Sequence, residues 1–297
     1  MFSLKNDTLK IDILKTGAEL CGISSIKNNT PFMWDANPDI WGSFAPNLFP
    51  IIGALKHNRF EFEGNSYNLP KHGIVRHNPN IELHRQEEHS LTLKLAYNKE
   101  TLLQYPFKFE FYITYVLKNN TIRVEHTILN KGDQTMYFSL GGHPAFKCPV
   151  YKDEHYNDYT LVFEHPETSK THLINIENGL ISNKTKPLLN NQNRLPLTHD
   201  LFNNDALIFK DLKSKQVTLN SKKYGNILTV SYHDFNYLGI WAKPNGNYVC
   251  IEPWLGIADN ENTNQDFKTK EGILKLMPRT SFKATYSITI HDKDLKP

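Results

Sequence analysis

Three short stretches of this sequence place polar, titratable side chains where the surrounding pattern would put apolar ones. They are "LPKHGIVRH" with His72, Arg76 and His77, "SLGGHPAF" with His143, and "CIEPWLGIAD" with Glu252, Trp254 and Asp259. Glu252 follows an apolar run and precedes Pro253, so the strand is expected to end there. A carboxylate so placed is partly desolvated, which disfavours its charged form and raises its pKa towards neutrality, where a general base works best. A carboxylate satisfied by an arginine or by backbone N–H groups fits these residues equally. His143 stands between Gly141-Gly142 and Pro144. Glycines let a chain turn sharply or approach a ligand closely, and a proline confines the residue before it to extended backbone. His72 has Lys71 before it and Gly73 after it. Both histidines read as turn residues, which a scaffold can present to a ligand.

Other reactive types have blander readings. His126 lies on an apolar strand face and reads as a core residue, whereas His57, His84 and His89 sit in polar surroundings and are expected to face solvent. Cys148 is near enough to His143 in sequence for a Cys–His nucleophilic pair to be weighed, but a free cysteine is more often a small buried hydrophobe. No H-E-x-x-H or H-x-H occurs, so a metal centre is not expected. The aromatics Trp34, Trp41, Phe146, Trp241 and Trp254 cluster around the three stretches. They read as core, or as the apolar floor of a ligand cleft with polar groups at its rim.

The elements that must position these groups are strands. "LTLKLAY" places Leu91, Leu93, Leu95 and Tyr97 on one face, and "TIRVEHTIL" places Ile122, Val124, His126 and Ile128 on one face. "FEFYITYVL", "NILTVSY", "NYVCIEPW" and "ATYSITI" alternate in the same way, with turn signals such as "LKNNTI" and "KPNGNY" between runs. That is the pattern of half-buried antiparallel strands. Helices are expected to be few, with a short one near Asp39 to Trp41. Residues 170–204, rich in Asn, Thr and Lys, read as an excursion of short strands. With no linker or repeat, residues 1–297 are expected to form one all-β domain, a large antiparallel β-sandwich.

Bulk properties narrow the function classes. The net charge of +3 on 297 residues is small and scattered, which argues against nucleic acid. Three separated cysteines indicate a reducing compartment without a disulfide framework. The N-terminus lacks a signal-peptide block, and no run approaches the roughly 20 apolar residues that span a bilayer. A soluble cytoplasmic protein is expected, with a homodimer compatible with the sequence.

Taken together, "WDANPDIWGSFAPNLFPIIG", "LPKHGIVR", "SLGGHPAF", "NDALIFKDL" and "VCIEPWLGIAD" resemble the aldose 1-epimerase (galactose mutarotase) superfamily, especially its LacX-type bacterial branch. They follow the family's order, and the resemblance covers nearly the whole chain. It implies a supersandwich fold and interconversion of the α and β anomers of a free aldose without a cofactor. It also implies Glu252 as general base, His143 as general acid, His72 as a second active-site histidine and Asp205 as a holder of sugar hydroxyls. Arg76 and Trp254 are further candidates for the sugar site. Relatives often carry an arginine after "FPIIG", where this chain has Ala54; Arg76, Lys56 and Arg59 are the candidates to replace it. The rival readings are a sugar-binding protein without catalysis, a glycoside hydrolase using Glu252 with Asp205 or Asp259, and an epimerase acting on a hexose phosphate held by Lys71, Arg76 and His77.

Overall fold

The structure, a computed structural model, describes residues 1–291. The alternation read in the sequence is realised as buried and exposed faces. In the strand Thr121–Asn130, Ile122, Val124, His126 and Ile128 are all fully buried, and in Ser90–Ala96 the same holds for Leu91 and Leu93. These belong to a 15-stranded antiparallel sheet, along which the chain order is heavily permuted. One end begins with Asn47–Leu48, followed by Leu140–Gly142, Tyr248–Leu255, Tyr237–Trp241 and Leu207–Phe209. The other half runs through Gln216–Ser221, Gly225–Ser231, Ser281–Ile290, Thr121–Asn130, Phe109–Lys118 and Ser90–Ala96 to the exposed edge strand Glu82–Gln86.

The sheet closes over itself. A Cβ on Gly142, near one end, would come within 2.8 Å of the Tyr286 ring, which belongs to a strand far along the sheet. Phe49, next to the first strand, packs on Phe109 and Phe111 with ring centroids 5.2 and 5.4 Å apart. Two layers of inward side chains thus form one apolar core from Leu4 to Ile290, the arrangement of a β-sandwich. A three-stranded sheet, Phe2–Lys5, Leu9–Ile13 and Leu20–Ser25, packs beside it. No helix among the described residues is long and apolar enough to cross a membrane.

Several local expectations differ from what forms. Residues 38–40 make a turn rather than a helix, closed by the Trp41 N–H donating to Asn37 O at 2.8 Å. The one α-helix among the described residues is Lys99–Gln104, capped by the Asn98 side chain, which accepts the Thr101 N–H. Residues 170–204 are not short strands. They belong largely to a long hairpin of Tyr159–Asn175 and Leu180–Pro196, 17 residues each, whose bulged register hides its continuity in the sequence. The strand carrying Glu252 does not stop there either. It runs Tyr248–Leu255, with Pro253 inside it. Gly141 and Gly142 make no turn; both lie in the strand Leu140–Gly142. They are small because Pro253 O and Trp254 Cδ1 stand 2.9 Å from where a Gly141 Cβ would be, and Tyr286 crowds Gly142.

Candidate functional site

Strand register explains why His143 meets Glu252. Gly141 pairs with Trp254 and Ala145 pairs with Cys250, both antiparallel to the strand Tyr248–Leu255. His143 sits in the gap between those two short strands, so the same register puts it directly opposite Glu252. The His143 N–H donates to Pro46 O at 3.0 Å. Its ring stacks on Trp41 at a centroid distance of 5.0 Å, and Trp241 abuts it edge-on at 5.8 Å. The result is His143 Nε2 facing Glu252 Oε2 at 3.1 Å, although Oε2 makes no well-aligned hydrogen bond.

Burial governs the charge of this pair. Glu252 is 1% exposed, and removal from water pushes its carboxyl well above the ordinary carboxylate range, against the opposing fields of Lys71 and Arg76. Burial, reinforced by Arg76 and Lys71, pulls His143 down to about 3. Both groups therefore disfavour charge, and between the lowered His143 value and the raised Glu252 value the pair holds one proton between them.

His72 is fixed as tightly as His143. Its φ is 70°, in the left-handed region that few non-glycine residues occupy. Its N–H donates to Gly53 O at 2.9 Å, and its Nδ1 accepts the Gly53 N–H at 3.1 Å. An accepting Nδ1 means that the neutral ring carries its proton on Nε2. Burial, followed by the neighbouring His143, Lys71 and Arg76, keeps the ring neutral. The two imidazoles lie edge to face, 5.6 Å apart.

Asp205 shares the unusual backbone, with φ at 70°, and its Oδ1 accepts the Ala206 N–H at 2.7 Å. Arg76 donates from Nη2 to Ser43 Oγ at 3.2 Å, while its buried Nε has no partner. The Trp254 indole lies on Gly239, where a Cβ would come within 2.5 Å of the ring. Its N–H favours the Glu252 carboxylate but has no hydrogen-bond partner.

These groups line one cleft. It holds about 650 Å³ with its mouth included and is bordered by His72, Arg76, His143, Asp205, Glu252 and Trp254. That size suits a small-molecule site. Four of the buried side-chain atoms without a partner, on Arg76, His143, Glu252 and Trp254, belong to it. Buried polar atoms are normally satisfied, so a cluster of orphans in one cleft marks where a polar ligand supplies the missing partners.

Other candidates fall elsewhere. Asp259 is an internal anchor, taking Lys270 Nζ at 2.9 Å and the Lys56 N–H at 2.9 Å. His77 is exposed outside the cleft, and His57, His84 and His89 face solvent. His126 is buried in the core, as its strand face indicated. Of the candidates to replace an arginine at position 54, Arg59 is exposed beside Glu61 and Lys56 Nζ is bound to Glu261 O, so only Arg76 lines the cleft. Cys148 is buried with its thiol pushed well up, and the cysteine beside His143 is Cys250. No metal motif marks the sequence, yet donor atoms of His143, Cys250 and Glu252 lie within 4.8 Å of one another, close enough to share an ion. The Cys250 thiol is itself held well above its ordinary range by burial and by Glu252. Lys71 and Trp41, both candidates in the sequence, line the cleft, whereas sequence reasoning did not single out Glu19 as a support. Its role appears only in the folded chain, where its carboxylate accepts the N–H groups of Phe44 and Ala45.

Comparisons with known proteins place the chain in a family and a fold. The family model for aldose 1-epimerase matches residues 1–260. The plasmid-encoded protein LacX of Lactococcus lactis subsp. lactis is 34% identical over 298 residues, covering 97% of this chain and 98% of that protein. A galactose mutarotase related enzyme from Lactobacillus acidophilus superposes with a TM-score of 0.92 at 35% identity, covering 98% of this chain and 97% of its own. A galactose mutarotase-like protein from Lactobacillus casei gives 0.91 at 26% identity, covering 98% and 100%. The chain belongs to the aldose 1-epimerase family.

Proposed function

We propose that this member of the aldose 1-epimerase family interconverts the α and β anomers of a free aldose by general acid–base catalysis in the cleft. The observation that carries the reading is the buried facing pair, His143 Nε2 and Glu252 Oε2 at 3.1 Å. Ring opening needs one proton taken from the C1 hydroxyl and one given to the ring oxygen. The C1–C2 bond then rotates, and the ring closes on the other face of the aldehyde. Glu252 acts as the base towards O1 and His143 as the acid towards O5. That division needs one proton on the pair, resident on the imidazole, and one proton is what burial leaves there. A sugar hydroxyl on Glu252, with Arg76 and the Trp254 N–H nearby, favours the carboxylate and so shifts the proton to His143. Each positioned transfer contributes roughly 10²–10⁴-fold.

The remaining groups hold the sugar. His72 offers Nε2–H as a donor, Arg76 its guanidinium, and Asp205 a carboxylate oxygen as acceptor. Trp41 and Trp241 give the C–H faces of a pyranose an apolar surface. The test is the decay of optical rotation of a freshly dissolved α-aldose with and without protein. Acceleration that saturates with sugar supports the enzyme. Sugar binding without acceleration would leave a carbohydrate-binding protein instead.

A further inference from the structure

A thiol that acid–base catalysis does not use stands beside the His143–Glu252 pair. Cys250 precedes Glu252 by two residues in the strand Tyr248–Leu255, so the two side chains project from the same face. The register that sets His143 opposite Glu252 pairs Ala145 with Cys250, which leaves the thiol one step along the ladder from the imidazole. Donor atoms of His143, Cys250 and Glu252, one from each, lie within 4.8 Å of one another. The three residues are 7%, 0% and 1% exposed. Two of their buried atoms, His143 Nδ1 and Glu252 Oε2, have no hydrogen-bond partner. His143 and Glu252 line the cleft, which gives an ion its way in.

We infer that His143, Cys250 and Glu252 form a site for a thiophilic divalent cation, zinc, and that the ion switches off anomerisation while bound; the effect on rate rests on the mutarotase reading above, whereas the binding does not. Imidazole, thiolate and carboxylate are the ligands zinc takes, at about 2.0–2.3 Å, so ligands of one tetrahedral ion stand roughly 3–4 Å apart. His143 Nε2 and Glu252 Oε2 already have that spacing, at 3.1 Å. The thiol, within 4.8 Å of both partners' donors, joins them with a shift of about 1 Å. Charge is matched as well. Thiolate and carboxylate cancel the two charges of the ion and the imidazole binds neutral, so Lys71 and Arg76, which line the same cleft, meet a site without net charge. The protons the ligands carried leave to solvent as the ion enters. Zinc then occupies the imidazole lone pair and the carboxylate oxygen through which the sugar's protons must pass, so neither group can give or take one. Magnesium and calcium favour all-oxygen ligand sets and are not expected to compete.

The experiment titrates the full chain, first treated with a chelator, with cobalt as a coloured stand-in for zinc. A thiolate-to-cobalt charge-transfer band in the near ultraviolet is expected, saturating at one ion per chain and bleached by added zinc. Cys148→Ala should keep the band. Cys250→Ser should lose it and bind zinc at least about tenfold more weakly. No band in the wild type, or a band that survives in Cys250→Ser, overturns the site. Should Cys250→Ser fail to fold, Glu252→Gln takes its place, with at least about tenfold weaker zinc binding expected and unchanged affinity overturning the site. The effect on rate is read from kcat/KM for anomerisation of D-galactose and D-glucose. Saturating zinc is expected to lower it at least about 10²-fold in the wild type, the loss of an acid–base partner, with recovery on adding EDTA and no effect of magnesium. At that zinc concentration the ratio of rates without and with the ion should be at least about tenfold smaller in Cys250→Ser. Undiminished turnover of the zinc-saturated wild type, or equal inhibition by magnesium, overturns the inference while leaving the enzyme standing. If the metal-free protein accelerates no aldose, the mutarotase reading falls, and the cobalt spectrum still decides whether the three residues hold the ion.

Discussion

At the scale of single residues, the buried pair makes predictions that simple chemical intuition would get wrong. Glu252→Gln keeps the shape and removes the basic oxygen, so kcat should fall by roughly 10²–10⁴-fold with sugar affinity nearly kept. Near-native turnover would exclude Glu252 as the base. Backbone control does not separate the two histidines, because His72 is held by a left-handed backbone and two bonds to Gly53. Contact with Glu252 does separate them, since only His143 faces it at 3.1 Å. His143→Asn is therefore expected to lower kcat by at least about 10²-fold, and His72→Asn to act mainly on KM. Steady-state kinetics of both variants check this, and reversed patterns would exchange their roles. The pH profile should carry no acidic limb near the ordinary imidazole value of 6.5, because burial pulls His143 down to about 3. A second proton enters the pair only as pH falls through that value. Its one proton leaves as pH rises through the raised value of Glu252, which sets the alkaline limb. An acidic limb near 6.5 in kcat/KM would contradict the assignment.

At the scale of elements, the site is assembled where the strand Tyr248–Leu255 meets two short strands and a turn from the small N-terminal sheet. That turn carries Glu19, whose buried carboxylate accepts the N–H groups of Phe44 at 2.7 Å and Ala45 at 2.9 Å. It thereby fixes the loop bearing Ser43, which holds Arg76, and its charge faces the guanidinium. Gly17, in the same turn, packs so closely that a Cβ would stand 2.3 Å from Arg76 O. Glu19→Ala is expected to destabilise the fold by about 1–3 kcal/mol, the cost of leaving buried donors unpaired, and to raise KM severalfold with a smaller change in kcat. Urea melts with parallel kinetics check it; an unchanged KM would show that Arg76 holds its place without Glu19. The sequence made individual strands legible because one buried face imposes a period of two, as in Thr121–Asn130. It also marked His143 and Glu252, whose surroundings break that rhythm. It did not show that the two lie opposite each other in register, nor that the long hairpin reaches the cleft. Nor did it show that Cys250, rather than Cys148, sits by the imidazole. Those facts depend on which distant strands pair, and local patterning does not encode the partner.

At the scale of the whole molecule, the two layers that support the cleft share an acid-sensitive core. His126 is fully buried in the strand Thr121–Asn130, against Phe111, Phe235 and Tyr286, and neither ring nitrogen has a hydrogen-bond partner. Tyr286 is also the ring on which Gly142 rests, so this part of the core underlies the strand leading to His143. Burial lowers the His126 pKa from 6.5 to about 4. A lowered pKa means that the unfolded chain binds the proton more tightly than the folded one. The contribution of His126 to stability is thus fully present above the unfolded value of 6.5 and is lost as pH falls towards about 4. At one pKa unit per 1.36 kcal/mol, roughly 2 kcal/mol disappears between neutrality and pH 5. His126→Phe removes that loss. The larger ring can strain the packing and shift stability at every pH, so the informative quantity is the difference between urea unfolding free energies at pH 7.5 and pH 5. That difference is expected to be about 2 kcal/mol smaller in the variant than in the wild type, because the other histidines contribute equally to both. Equal differences would show that His126 does not govern the acid sensitivity of the core. The same comparison separates two causes of activity loss in acid. Loss from unfolding should move to lower pH in the variant, whereas loss from titration of the His143–Glu252 pair should stay where it was.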